Sequence, residues 1–415
     1  MSVEVLVVGN EVLAGAVADT NSGAVARALA ALGHEVARVT QVGDVPEAIA
    51  QAAAEAVQRA RVLVVSGGLG PTPDDCTKEA LAAHFGSRLE LDAETLDDIR
   101  RRFAERGLVM PESNRKQALL PQGARKIPNP VGSAPGVHWR LAGCDVFLLP
   151  GVPDELCAML DSYVLPELRR LGGRTPARRA VFRTVGLPES EIAQRLQPTM
   201  AAYAAWRWGF YPGRQGLDVQ VVDASSNASA SEFDAACAAV REALGDIVYT
   251  EEEGVPLEEI VRRLCVEKGH TLAVAESCTG GLLGGWLTAA PGSSAYFIGG
   301  FVTYADATKR DWLGVPEEML AQHGAVSAEV AIALARSARA RAGATLGLAI
   351  TGVAGPGGGT ADKPVGLVFL ALSAPDGEWS LRLQLGRRRE ANRAYSCLLA
   401  LDLLRRYEIG LPLGA

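Results

Sequence analysis

The chain has 415 residues, 48% of them apolar, enough for two or three domains with cores of their own and too apolar for a disordered protein. A formal net charge of −7 argues against non-specific binding to DNA or to anionic membranes. Seven cysteines (Cys76, Cys144, Cys157, Cys237, Cys265, Cys278 and Cys397) are scattered without a CxxC pair, as expected of reduced cytosolic thiols.

The chain opens directly into an apolar strand, Val3 to Val8, with no leader-like segment, and no apolar run reaches the roughly 18 residues that span a bilayer. A cytoplasmic protein without membrane partners is therefore expected. Further strands are predicted at Glu35 to Val42, Val62 to Ser66 and Val146 to Leu149. Helices are predicted near Ser22 to Leu32, Pro46 to Ala60, Thr77 to His84, Ala93 to Arg106 and Pro153 to Arg170. Such alternation predicts a parallel sheet covered on both faces.

Between the third strand and its helix lies Ser66-Gly-Gly-Leu-Gly-Pro-Thr-Pro-Asp-Asp-Cys-Thr77. Its glycines let backbone N–H groups surround an anion, and its carboxylates suit a divalent cation lying over that anion. Taken alone, Asp74 or Asp75 equally fits an N-cap for the helix that begins near Thr77. Asn114, Arg115 and Lys116 offer charge and a donor to a ligand, or form a solvated turn.

The segment closely resembles the signature of molybdopterin-binding domains of the MoaB/MogA type. Gly9-Asn-Glu11, Gly15, Asp19-Thr-Asn21, Val42-Gly-Asp44 and Asn129 to Gly136 resemble the same family, over most of the first 168 residues. The resemblance implies that Asp44 and Asp75 are metal-linked acids and that Gly67, Gly68, Gly70, Thr72 and Asn21 contact the ligand. The metal would be Mg, Mn or Co.

From about 172 to 250 the pattern changes. Short strands at Arg178 to Val185, Arg207 to Tyr211 and Leu217 to Val222, with helices at Glu189 to Leu196 and Glu232 to Leu244, predict a small α+β domain. Ser225 to Ser231 is a polar loop, and Glu251-Glu-Glu-Gly254 with Pro256 is an acidic, turn-rich joint.

Strand and helix then alternate again, to a helix ending near Arg406. The strand Thr271 to Ala275 and the helix Leu282 to Ala290 flank Glu276-Ser-Cys-Thr-Gly-Gly281. Ser277 therefore lies at a strand-to-helix junction, where first-turn N–H groups are expected to point outward and to stabilise an oxyanion. Its hydroxyl needs a base. Five histidines show no spacing that supplies one, and only six lysines stand against thirty-five arginines. Lys309 is thus a candidate, because a desolvated lysine can lose its proton and an arginine cannot. Burial against Phe301, Val302 and Trp312 would lower its pKa, and Tyr304 would relay or donate a proton. Cys278 is the rival nucleophile. The alternative is that Ser277 or Thr279 only caps a helix and that Lys309 is a solvated charge.

Glu276 to Gly281, Pro291-Gly-Ser-Ser294, Gly299 to Tyr304, Lys309, Gly324 to Ser327, Thr351 to Gly359 and Lys363 to Gly366 occur in one order. That order resembles the nicotinamide-nucleotide amidase domain of the CinA family. The resemblance implies hydrolysis of nicotinamide mononucleotide (NMN) to nicotinate mononucleotide and ammonia, without a cofactor. Ser277 would be the nucleophile, Lys309 the base and Tyr304 an active-site partner. Cys278, Thr279, Gly280, Gly281, Gly300, Thr351, Gly352 and Gly355 would line the substrate. Where the family commonly has Gly-Asp-Arg, this chain has Gly386-Arg-Arg388; Arg388 is favoured over Arg387 and Arg389 as the phosphate contact.

In CinA proteins the N-terminal domain is associated with cleavage of ADP-ribose to AMP and ribose 5-phosphate. The expected architecture is α/β: a mostly parallel three-layer α/β domain over 1–170, a small α+β domain over 171–253 and an α/β amidase domain over 254–415, as a homodimer. The partners expected are the small nucleotides NMN and ADP-ribose, without direct nucleic-acid binding. Two rivals are a pterin-binding module joined to a nucleotide sensor, and an accessory of DNA uptake or recombination.

Overall fold

The computed structural model describes residues 2–30, 32–172, 177–223, 228–386 and 388–413. Contacts divide the chain into two compact units, Met1–Ala177 and Arg178–Ala415. Among the described residues no helix is long and apolar enough to cross a membrane.

The first unit is built on a six-stranded sheet in the order Val36–Val42, Val3–Val8, Val62–Ser66, Cys144–Leu149, Gly136–Leu141, Arg125–Ile127. The first four strands run parallel and the last two antiparallel. Side chains alternate across a strand, and both faces here are apolar. Val3, Val5 and Val7 pack with Val25, Leu29 and Leu156, while Leu6 and Val8 pack with Ile49, Ala53 and Leu81. The result is three layers, helix on sheet on helix, as the alternation predicts. The helical run Pro153–Arg170 contains a π-helical turn at Leu160–Val164.

In the second unit, Arg207–Gly213, Gly216–Val222, Arg179–Thr184 and Val248–Thr250 form an antiparallel sheet packed by the helices Glu189–Ala202 and Ala230–Leu244. Ser229 caps the second helix through Glu232 N, so Ala230 and Ser231 are helical rather than loop; Ser225 to Asn227 lie outside the described residues. A five-stranded sheet follows in the order Phe297–Val302, Leu272–Glu276, Leu346–Gly352, Leu367–Ala374, Gly377–Gln384, its first three strands parallel. The helix expected to reach Ala290 stops at Leu287, ahead of Pro291 and of Gly292 with its positive φ.

Candidate active sites

The junction at Ser277 sits at the carboxyl end of Leu272–Glu276, the usual place for a ligand in an open α/β sheet. Ser277 N donates to Ile350 O at 3.0 Å on one neighbouring strand, and Thr303 N donates to Glu276 O at 2.8 Å from the other side. This stitching brings Ser277, Thr303 and the Thr351 strand end together.

Glu276 is 1% exposed, and its carboxylate accepts from Gly281 N (3.0 Å), Leu283 N (3.1 Å) and Gly284 N (2.8 Å). The first-turn amides therefore do not face a ligand as expected; they are spent on this buried acid. Gly280 N is also spent, on Ser277 O at 3.1 Å. Among the described residues the amides of Cys278 and Thr279 have no acceptor and are free to donate to a ligand. Gly280 and Gly281 instead supply the left-handed turn, with φ of 59° and 90°.

Cys278 packs its side chain into the core, where burial pushes the thiol up to about 11. The thiol is therefore held protonated at neutral pH, which argues against Cys278 as the rival nucleophile. The hydroxyls of Thr279 and Thr303 are buried without a hydrogen-bond partner among the described residues.

Lys309 begins from the same strand ends, on the helix Asp306–Leu313, and is 1% exposed. The expected apolar jacket is different in kind: Val302 and Trp312 are 43% and 53% exposed. The amine donates to Tyr304 O at 3.1 Å and to Asp306 Oδ1 at 3.3 Å, leaving one donor position over. No hydrogen bond joins it to Ser277 among the described residues. Tyr304 is exposed, and its hydroxyl accepts from Arg389 Nη2 at 3.0 Å.

Arg389 also donates to Gly355 O at 2.7 Å, and Arg393, one turn on, donates to Thr279 O at 2.6 Å. The guanidinium at the site is thus Arg389, backed by Arg393, rather than the favoured Arg388. Arg388 is the N-cap residue of Arg389–Glu408, with its carbonyl accepting from Asn392 N at 2.8 Å and its side chain making no hydrogen bond among the described residues, and Arg387 lies outside them. An arginine pair four apart on one helix was the signal available for Arg393. Thr351 is buried and donates to Ala325 O at 2.7 Å, so it anchors the 324–327 turn. A side chain at Gly300 would meet Val274 at 2.8 Å, and one at Gly352 would meet Val368 at 2.7 Å; both glycines serve strand packing. Gly355, with φ 87°, shapes the loop that Arg389 holds.

In the first unit, Asp44, Asp75, Gly67, Gly68 and Gly70 line one cavity of about 560 Å³. Gly67 and Gly68 have positive φ, and a Cβ at either would collide with Val8 O or the Thr77 hydroxyl. The amides of Gly68, Leu69 and Gly70 find no acceptor among the described residues, which suits an anion. Asp44 Oδ2 accepts from Asn10 N at 2.8 Å, and Asp75 Oδ2 accepts from Thr72 N at 3.0 Å and from its hydroxyl. Thr72 thus orients Asp75 from outside the cavity lining. Asn21 is buried behind the loop, donating to Ser66 Oγ and Gly151 O at 2.8 Å each beside a separate cavity of about 80 Å³.

Lys116 does not reach toward a ligand; it donates to Thr72 O at 2.7 Å and to Asp75 O, while Asn114 is buried against Gln117. The buried amine of Lys78 holds the carbonyls of Lys116, Gln117 and Leu119 and so fixes that segment. Among the described residues no cluster of three or more His, Cys, Asp or Glu is placed to hold a metal by itself. Two tethered carboxylates over a row of free amides fit an ion that completes its shell with phosphate oxygens and water, as magnesium does.

Three family models match successive parts of the chain: a probable molybdopterin binding domain over 4–170, a damage-inducible protein CinA KH domain over 179–250 and a CinA C-terminal domain over 255–408. A CinA-like protein of Desulfosudis oleivorans is 42% identical over 411 residues, covering 98% of this chain and 99% of that protein. The chain belongs to the CinA family. Another member, from Myxococcus xanthus, is 43% identical over 420 residues, 99% of each chain. Among solved structures, a competence/damage inducible protein from Agrobacterium tumefaciens is 44% identical, covering 36% of this chain and 93% of its own, with a TM-score of 0.35.

Proposed function

We propose that the protein is a bifunctional enzyme of pyridine-nucleotide salvage. The second unit hydrolyses NMN to nicotinate mononucleotide and ammonia. The first hydrolyses ADP-ribose to AMP and ribose 5-phosphate; the Asp44 and Asp75 carboxylates would hold a divalent cation, which would supply charge neutralisation for the substrate phosphates. The observation that carries the amidase reading is a fully buried lysine amine at the strand ends that also present Ser277 and two unspent amides.

In this reading Ser277 attacks the carboxamide carbon, Lys309 takes the hydroxyl proton, and the Cys278 and Thr279 amides receive the oxyanion. Arg389, with Tyr304 against it, faces the nucleotide phosphate. Lys309→Arg keeps the charge and removes the accessible neutral amine, so ammonia release is expected to fall by roughly 10²- to 10⁴-fold. Near-normal release from a folded K309R enzyme rejects the base.

Incubation with NMN and with ADP-ribose, each with and without EDTA, followed by product identification, tests both halves. Ammonia from NMN is expected in either condition, and AMP from ADP-ribose only without the chelator. Absence of both products removes the reading. The probable molybdopterin binding model over 4–170 favours a second reading of the first unit, as a pterin-binding module. Tight pterin binding without AMP release would establish it.

A further inference from the structure

Five ionisable side chains line the large cavity of the first unit, and all are carboxylates: Glu11, Asp44, Asp74, Asp75 and Glu155. Water that splits a phosphoric anhydride must give up a proton, and the acceptor has to be held in place to help. Asp44 and Asp75 are tethered within the loops assigned above to the cation. Asp74 and Glu11 are exposed, and the Glu11 carboxylate has no hydrogen-bond partner among the described residues.

Glu155 is held differently. Asn129, 8% exposed, donates one amide hydrogen to Ala134 O at 2.8 Å and the other to Glu155 Oε2 at 2.6 Å. Its oxygen accepts from Val131 N at 3.0 Å and from Gly132 N at 2.8 Å. Every polar position of the Asn129 amide is therefore spent on ordering one loop and aiming one carboxylate. Arg102 secures that loop from behind through Asn129 O and Gly132 O. Gly132 completes the seat, because a Cβ there would stand 2.1 Å from the Glu155 carboxylate carbon. Among the described residues Glu155 Oε1 is left without a hydrogen bond, on a side chain that lines the cavity.

We propose that Glu155 is the general base of the first unit, acting on water bound beside a nucleoside diphosphate sugar. This rests on the hydrolytic reading above. The water oxygen bonds to phosphorus as its proton passes to Glu155 Oε1. The bond from phosphorus to the bridging oxygen breaks, its electron pair leaving on the departing phosphate monoester, and Glu155 returns the proton to solvent. Asn129 is a positioning residue, since it reaches the reaction only through Glu155.

The test is Glu155→Gln in the full chain, whose side chain keeps the shape and an oxygen for Asn129 to donate to. ADP-ribose turnover is followed from pH 5 to 9 with magnesium. Binding of the α,β-methylene analogue of ADP-ribose is measured by calorimetry, and the thermal unfolding transition of the first unit reports its fold. Expected are a kcat lower by roughly 10²- to 10⁴-fold, unchanged analogue affinity, and loss of the acid limb of the kcat profile. Glu155→Asp should recover part of the rate. An unchanged kcat overturns the proposal, and so does a loss of analogue binding that excess magnesium restores, which makes Glu155 a metal ligand. A wild-type enzyme that binds the analogue yet turns nothing over removes the hydrolytic reading itself, a result distinct from an active wild type beside an active E155Q.

Discussion

Ser277→Ala is expected to cut ammonia release from NMN by roughly 10⁴-fold or more, the scale on which loss of a catalytic nucleophile acts. AMP release from ADP-ribose should be unaffected, because Ser277 and the Asp44–Asp75 cavity lie in separate compact units. The hydroxyl lies on a turn already tied down by Ile350 O, Glu276 and Arg393, so its removal should leave the loop in place. Parallel assays on one preparation measure both activities. Loss of both in a folded variant, or an amidase that survives, contradicts the assignment. Cys278 offers no fallback, since its thiol is buried and protonated.

Glu276→Ala has the largest expected effect on stability. Its carboxylate satisfies three amides at the start of a short helix, and the alanine variant leaves all three without acceptors in the interior. Breaking such a buried charged network costs about 3–5 kcal/mol. For a unit of this size that lowers the melting temperature by about 10 °C. Calorimetry on the full chain should show the shift in one transition, with ADP-ribose hydrolysis persisting to the original temperature. Glu276→Gln, which retains one acceptor oxygen, should fall between the two. If E276A melts with the wild type, the carboxylate is not what holds this turn. The folded fraction of E276A should also be a poorer amidase, because the Cys278 and Thr279 amides lose the frame that aims them.

Much of the fold was legible in the chain. Val3 to Val8 and Val62 to Ser66 were predicted to the residue, because strands buried on both faces read as continuous apolar runs between turn signals. The glycines of 66–77 and 276–281 announced themselves for a related reason, since positive φ needs a residue without a Cβ. What failed was partnership. The sequence shows that a helix starts after Gly281 but not that Glu276 folds back to take its amides. It shows three consecutive arginines but not that Arg389 turns toward Tyr304 and Gly355. Lys309 is visible as a rare lysine, whereas its bond to Asp306 depends on how one helical turn is packed.

Periodicity along the chain determined by itself the alternation of the main strands and helices and the two glycine-rich loops at strand ends, because alternation and turn formation act between residues a few positions apart. Only the tertiary structure decided which amides remain free at Ser277 and which guanidinium stands there. It alone brought Glu155 into one cavity with Asp44 and Asp75. Those outcomes depend on segments tens to more than a hundred residues apart competing for the same hydrogen bonds, and that competition is resolved only when the sheet has closed around them.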